Sequence, residues 1–278
     1  MSGSTNVEQW SGKDRGDENF PVGSLLISAK YRPHIHAYYA FARNADDIAD
    51  SKTLSAEEKI DRLDIMEAVL LGKRHDGAPS AARLRDSLAT TRVSSVHATD
   101  LLIAFRRDAT KNRYATIDEL YNYCRYSAVP VGRYVIDLHR EKHDCYSPSD
   151  ALCMALQVLN HMQDCRKDML ELDRCYLPQA LLDHFRSSVD EVRGSKETPA
   201  LRRVFVTLLD RIDRLLLAAS ELPETAKDRR LRMETAVIYG LAKRLRNRLG
   251  RHDPLARRVK LSKVDGLFSV LGSVRHLW

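Results

Sequence analysis

Glycine and proline are scarce, at 12 and 9 of 278 residues. An all-β chain needs many tight turns, and this one has too few turn residues to build them. No uninterrupted apolar run reaches the ~18–20 residues that cross a bilayer. The first residues are polar and lack the apolar core of a signal peptide, so the expected location is the cytoplasm. The five cysteines (Cys124, Cys145, Cys153, Cys165 and Cys175) include no CxxC pair. That spacing argues against a zinc site or a thioredoxin-like motif and suits reduced thiols. No GxGxxG follows a strand pattern, so no built-in nicotinamide domain is expected. Repeats and low-complexity tracts are absent too.

What remains is 44% hydrophobic and 30% charged, with a formal net charge of +7. Such a charge suits nucleic acid, an anionic membrane surface or a phosphorylated substrate. A nucleic-acid or membrane-surface module needs its basic residues on one face. Here arginine is scattered and acids sit within apolar helices, so no nucleic-acid partner is expected. Residues 1–18 read as a loosely attached tail, and 19–278 as one domain. Apolar residues recur at helical spacing almost throughout, which predicts an all-α fold. The expected helices are 32–51, 55–71, 80–110, 116–139, 148–170, 178–184, 198–222, 228–249 and 264–271. Capping residues mark several starts, as at Ser55, Thr116 and Ser147. Val129-Pro130 predicts a kink, and Gly132 beside it permits close backbone approach.

Two helices carry acid where a core should be. Between His36 and Asp50 the chain is mostly small, apolar or aromatic, yet Tyr39, Arg43, Asp46 and Asp50 step by four, three and four. On a helix those residues share one stripe. Between Ala151 and Asp168 the pattern recurs: Gln157, Asn160, Asp164 and Asp168 step by three, four and four among Leu156, Val158, Leu159 and Met162. One DxxxD alone is most simply a solvated face. Two of them, each in an apolar helix, point into a shared cavity. Buried carboxylates are costly unless paired or bound to a cation. Mg²⁺ accepts a few carboxylates together with waters and substrate phosphates, so the pair reads as a Mg²⁺–diphosphate clamp.

These motifs resemble those of the squalene/phytoene synthase family, the head-to-head isoprenoid synthases. Asp46-Asp-Ile-Ala-Asp50 after Arg43 is similar to the first aspartate-rich motif of that family. Gln157 to Asp168, followed by Asp173-Arg-Cys-Tyr-Leu-Pro178, is similar to the second. Glu18 to Ser24, Tyr123 to Arg133 and Asn160 to Asp168 most resemble the bacterial hydroxysqualene synthases of hopanoid biosynthesis.

The resemblance implies an isoprenoid-synthase helical bundle around a central cavity. It implies Mg²⁺ held by Asp46, Asp50, Asn160, Asp164 and Asp168, and Arg43 on the diphosphate. Arg258 and Lys263 would close over the phosphates, or else belong to a solvated basic run. Phe20, Tyr39, Ser127, Val131, Gly132 and Gln157 would line the substrate cavity. The implied reaction takes presqualene diphosphate, supplied by a sister synthase, and water to hydroxysqualene and diphosphate. Its oily product leaves room for peripheral membrane contact. The alternative within the family is condensation of two farnesyl diphosphates. Many condensing relatives have Arg where this chain has Gln163, which favours the first reading. His161 and Cys165 are expected to be packing residues, and Asp47 to pair with Arg43.

Overall fold

The computed structural model describes residues 6–8, 26–262, 265, 266 and 269. Among them the chain is helical, and the only β feature is one isolated bridge between Arg113 and Cys175. Helices α1 (Arg32–Ala49) and α2 (Ala56–Leu70) are followed by α3 (Pro79–Thr91) and α4 (Val96–Asp108). Next come α5 (Ile117–Ser127), α6 (Val129–Leu138) and the long α7 (Tyr146–Leu172). The chain continues with α8 (Gln179–His184), α9 (Pro199–Ala219), α10 (Leu222–Thr225) and α11 (Arg229–Arg251).

Local chemistry sets the boundaries. Ser55 starts α2 with a reciprocal box: its hydroxyl accepts from Glu58 N at 3.2 Å while Ser55 N donates to the Glu58 carboxylate at 2.8 Å. Thr116, Thr198 and Asp228 cap α5, α9 and α11 in the same way, without the return bond.

Two expected helices are divided. The segment 80–110 is not one helix. Arg92 adopts a left-handed conformation, φ 60°, and ends α3, after which the Ser94 hydroxyl accepts from Val96 N at 3.2 Å to start α4. The segment 116–139 is two abutting helices rather than one kinked rod. Pro130 has no N–H to continue the ladder, and Ala128 leaves helical geometry at φ −130°. Of the expected helix 264–271, only Asp265, Gly266 and Ser269 are described, and these are helical.

At 27 residues, α7 is the spine. Its buried Leu152, Ala155, Val158, Leu159, Met162 and Met169 pack chiefly against α9 and α6. From α9 they meet Val204, Phe205, Leu208 and Ile212, an apolar stripe at helical spacing. Gly132 lets α6 approach α7 closely, because a Cβ there would lie within 3 Å of the Ser149 hydroxyl and the Cys153 thiol. Fully buried Phe41, Ile48, Leu63 and Met66 bind α1 and α2 into the same core.

Candidate active site

Both acid-bearing helices pass from an apolar cavity into a charged cleft. The cavity is about 360 Å³. Tyr39 reaches it from α1, Ser127 from α5, Val131 and Gly132 from α6, and Gln157 and Asn160 from α7. Five of the residues expected to line the substrate cavity therefore share one space, joined by Asn160, expected among the metal ligands. Much of the remaining wall is aliphatic, with Ile35, Leu152, Leu156, Leu231 and Ile238 among its members. Val131 stands at the open side, 42% exposed.

One turn further along each helix the character changes. Arg43 spreads its guanidinium between two acids, with Nη1 3.0 Å from Asp46 and Nη2 donating to Asp47 at 2.6 Å. Asp47 is buried, and its pairing with Arg43 is the one expected from its position off the stripe. Asp50 accepts from Arg174 Nη1 at 2.7 Å. On α7, Asp164 is gripped from both sides by Arg258, with Nε at 2.5 Å from one carboxylate oxygen and Nη2 at 2.8 Å from the other. Phe20 and Lys263 lie outside the described residues.

The acids crowd one another, with Asp50 acting on both Asp46 and Asp168. The carboxyl of Asp46 is pushed well above the usual carboxylate range, first by its enclosure and then by Asp50. That of Asp168 is pushed up to about 7 by burial, then by Asp164 and by Asp50 on the opposing helix. Asp50 of the first stripe thus lies within electrostatic reach of Asp168 of the second. Among the described residues no three His, Cys, Asp or Glu side chains gather closely enough to hold a metal by themselves. The donors fit a cation shared with substrate phosphate oxygens and water rather than an all-protein cage.

A buried polar knot beneath Asp50 escaped the sequence reading. Arg174, 5% exposed, donates to Asp50 and, through Nη2, to the backbone carbonyl of Asp108 at 2.8 Å. The Asp108 carboxylate accepts from Tyr123 at 2.6 Å and from Tyr176 at 3.0 Å. Burial pushes Asp108 up to about 6, with Arg174 opposing. His161 stacks on Tyr176 at a 3.5 Å centroid distance, and burial lowers its basicity to about 3, so it is a neutral packing group. Arg174 stands in the stretch Asp173 to Pro178, but its partners are 66 and 124 residues away, beyond any local spacing.

Gln163 is 2% exposed, and its side-chain amide donates to the carbonyl of Val259. It pins the segment that carries Arg258 against α7. Asp253 shapes the start of that segment by accepting from Leu255 N at 2.8 Å and Ala256 N at 3.2 Å.

The profile of the squalene/phytoene synthase family matches residues 13–265. The chain belongs to that family. It is 44% identical to the hydroxysqualene synthase of Rhodopseudomonas palustris over 95% of this chain and 90% of the relative. It is 42% identical to that of Zymomonas mobilis over 92% and 87%. The squalene synthase HpnC structure from Alicyclobacillus acidocaldarius superimposes with a TM-score of 0.73 at 31% identity, covering 84% of this chain and 88% of that one. A dehydrosqualene synthase structure gives 0.76 at 19% identity, covering 94% and 92%, and shows the shared fold. The fold is thus the squalene synthase type of isoprenoid synthase.

Proposed function

We propose that this chain is a hydroxysqualene synthase, converting presqualene diphosphate and water to hydroxysqualene and diphosphate. The observation that carries the reading is near-full-length identity of 42–44% to hydroxysqualene synthases. The geometry supports it, because an acid cleft adjoins an apolar cavity along the same two helices.

The chemistry divides between those two regions. Asp46, Asp50, Asp164 and Asp168, with Asn160 at the cavity edge, are the residues that would hold Mg²⁺ together with the diphosphate. Mg²⁺ bound there supplies Lewis-acid neutralisation of the leaving group's growing charge. Arg43 and Arg258 are the nearby forked donors. Each is now satisfied by acids, and each could turn its N–H groups to phosphate oxygens once a bound cation took over the charge of those acids. Loss of diphosphate leaves a cyclopropylcarbinyl cation that rearranges before water captures it. An apolar wall holds such a cation without trapping it, and the Tyr39 ring adds an electron-rich face. Gln163, committed to Val259, contributes no guanidinium where many condensing relatives have one. That difference favours a single diphosphate in the site.

Among the described residues no helix is long and apolar enough to cross a membrane. Contact with a membrane surface and supply of substrate by a sister presqualene diphosphate synthase belong to this same proposal. The test is to give purified protein and Mg²⁺ either presqualene diphosphate or farnesyl diphosphate. Hydroxysqualene from the first alone is expected. Product from farnesyl diphosphate alone would replace this reading with the condensing one.

A further inference from the structure

Helix α2 turns one stripe toward the core: Leu63, Met66 and Leu70 are buried, at helical steps of three and four. One step of four earlier on that stripe stands Lys59. It is half-buried, and its ammonium has no hydrogen bond or ion pair among the described residues. Its surroundings are those of the acid cleft. The loop that leads from Asp50 into α2 is tied twice to the end of α7, by Arg174 on Asp50 at 2.7 Å and by Lys52 on Glu171 at 3.3 Å. Arg106 of α4 holds Asp64 and Glu67 of α2 at 2.6 and 2.5 Å, which brings the end of α4, where Asp108 stands, against α2. Enclosure lowers the basicity of the Lys59 amine, and Arg174 adds to the effect, while Asp50 and Asp108 oppose it. Lys59 therefore lies within electrostatic reach of Asp50 yet neutralises no acid by contact. A lysine that gives up water without gaining a carboxylate is unfavourable in the free protein. Its charge is useful where an anion arrives. The other cations at the cleft are engaged: Arg43 by Asp46 and Asp47, Arg174 by Asp50, and Arg258 by Asp164.

We propose that Lys59 is a further contact to the substrate's diphosphate, its ammonium donating to phosphate oxygens at the α2 side of the cleft. The inference deepens the proposed reading and rests only on its diphosphate-binding part, not on how the cation is quenched. A four-carbon arm gives the ammonium its reach, and a compact cation with three donors suits a phosphate group. Lys59 transfers no proton. It stays an ammonium throughout and acts by charge and hydrogen bonding. A third helix thereby joins α1 and α7 in holding the anion, and it brings a positive charge where those two bring mainly acids.

The experiment is titration calorimetry of the full chain with inorganic diphosphate at saturating Mg²⁺. Lys59→Met is expected to bind about tenfold to a hundredfold more weakly, the loss of one hydrogen bond to a charged group. Lys59→Arg, which keeps the charge, is expected to recover most of the affinity. Wild-type affinity in Lys59→Met would overturn the assignment and leave Lys59 as a counter-charge to the acids alone. Equal losses in Lys59→Met and Lys59→Arg would overturn it too, as the mark of a packing role. Should Lys59→Met not fold, the wild-type chain carries the test through acetylation of Lys59 by acetic anhydride, read by mass spectrometry. That reaction is expected to slow severalfold with Mg²⁺ and diphosphate together relative to Mg²⁺ alone, and an unchanged rate overturns the assignment. Wild type that binds no diphosphate with Mg²⁺ would remove the clamp itself and this inference with it, a result distinct from any variant outcome.

Discussion

Helix α7 is two environments in one rod. Its Leu152, Leu156, Gln157 and Asn160 look into the apolar cavity, while Asp164 and Asp168 look into a cleft of crowded acids. Helix α1 repeats the passage, with Tyr39 in the cavity and Arg43, Asp46 and Asp50 in the cleft. The eleven-residue step from Tyr39 to Asp50 covers roughly 16 Å at the helical rise. One end of the site is built to carry excess negative charge, and the other to surround a hydrocarbon with almost none. The two stripes keep the two tasks adjacent without mixing them. A cation formed beside the leaving group needs only to stay on the apolar side of a fixed boundary.

The comparison breaks most sharply at the acid end. Asp46→Ala and Asp164→Ala are each expected to lower turnover about a thousandfold, the several kcal/mol that charge neutralisation at the leaving group supplies. Circular dichroism is expected to remain helical in both. Full activity in either variant would refute the clamp.

Next comes the buried knot that holds the cleft in place. Arg174→Met leaves Asp108 without its cation and removes the bond to Asp50. Loss of one partner of a buried ion pair predicts about 3 kcal/mol lower stability, read by urea titration. An unchanged midpoint would show that Tyr123 and Tyr176 suffice for Asp108.

At the apolar end, Gly132→Val is expected to cost about 1–3 kcal/mol by overpacking, since its Cβ would strike Ser149 and Cys153. It should also raise KM more than it lowers kcat, because the cavity wall moves while the acids stay. A variant with wild-type stability and KM would mean that α6 has more freedom than its contacts suggest.

The smallest effect is a pH slope. The folded Asp168 carboxyl sits at about 7, above its ordinary 3.8, so between those values the folded protein holds a proton that the unfolded chain has lost. Stability from this group is fully present below about pH 4 and lost as pH rises through about 7. Metal-free protein is therefore expected to melt at a lower temperature at pH 8 than at pH 6. Asp168→Asn should flatten that slope, and a melting temperature that rises over the interval in wild type but not in the variant would contradict the crowding of the acids.

Much of this site is legible in the sequence because it is written at helical spacing. The two stripes, the pairing of Asp47 with Arg43 and the small residue at Gly132 are all local patterns on one helix. Residues joined across the fold are not legible in this way. Asp108 ends α4, Tyr123 lies on α5, and Arg174 and Tyr176 follow α7, so only the packing of those elements makes them one cluster. The break at Arg92 is hidden for another reason: a left-handed turn on a residue other than glycine leaves no compositional mark. The cavity-lining residues Leu231, Glu234, Thr235 and Ile238 of α11 did carry a signal in their helical spacing. The arginines that crowd the rest of α11 make its charges look like those of a solvated face.

The central claim is that acids from α1 and α7 act jointly on one magnesium-bound diphosphate. Titration calorimetry with inorganic diphosphate in the presence and absence of Mg²⁺ tests it most directly. Binding that requires Mg²⁺ and is lost in both Asp46→Ala and Asp164→Ala is the predicted result. Equal diphosphate affinity in wild type and in either single variant would contradict it.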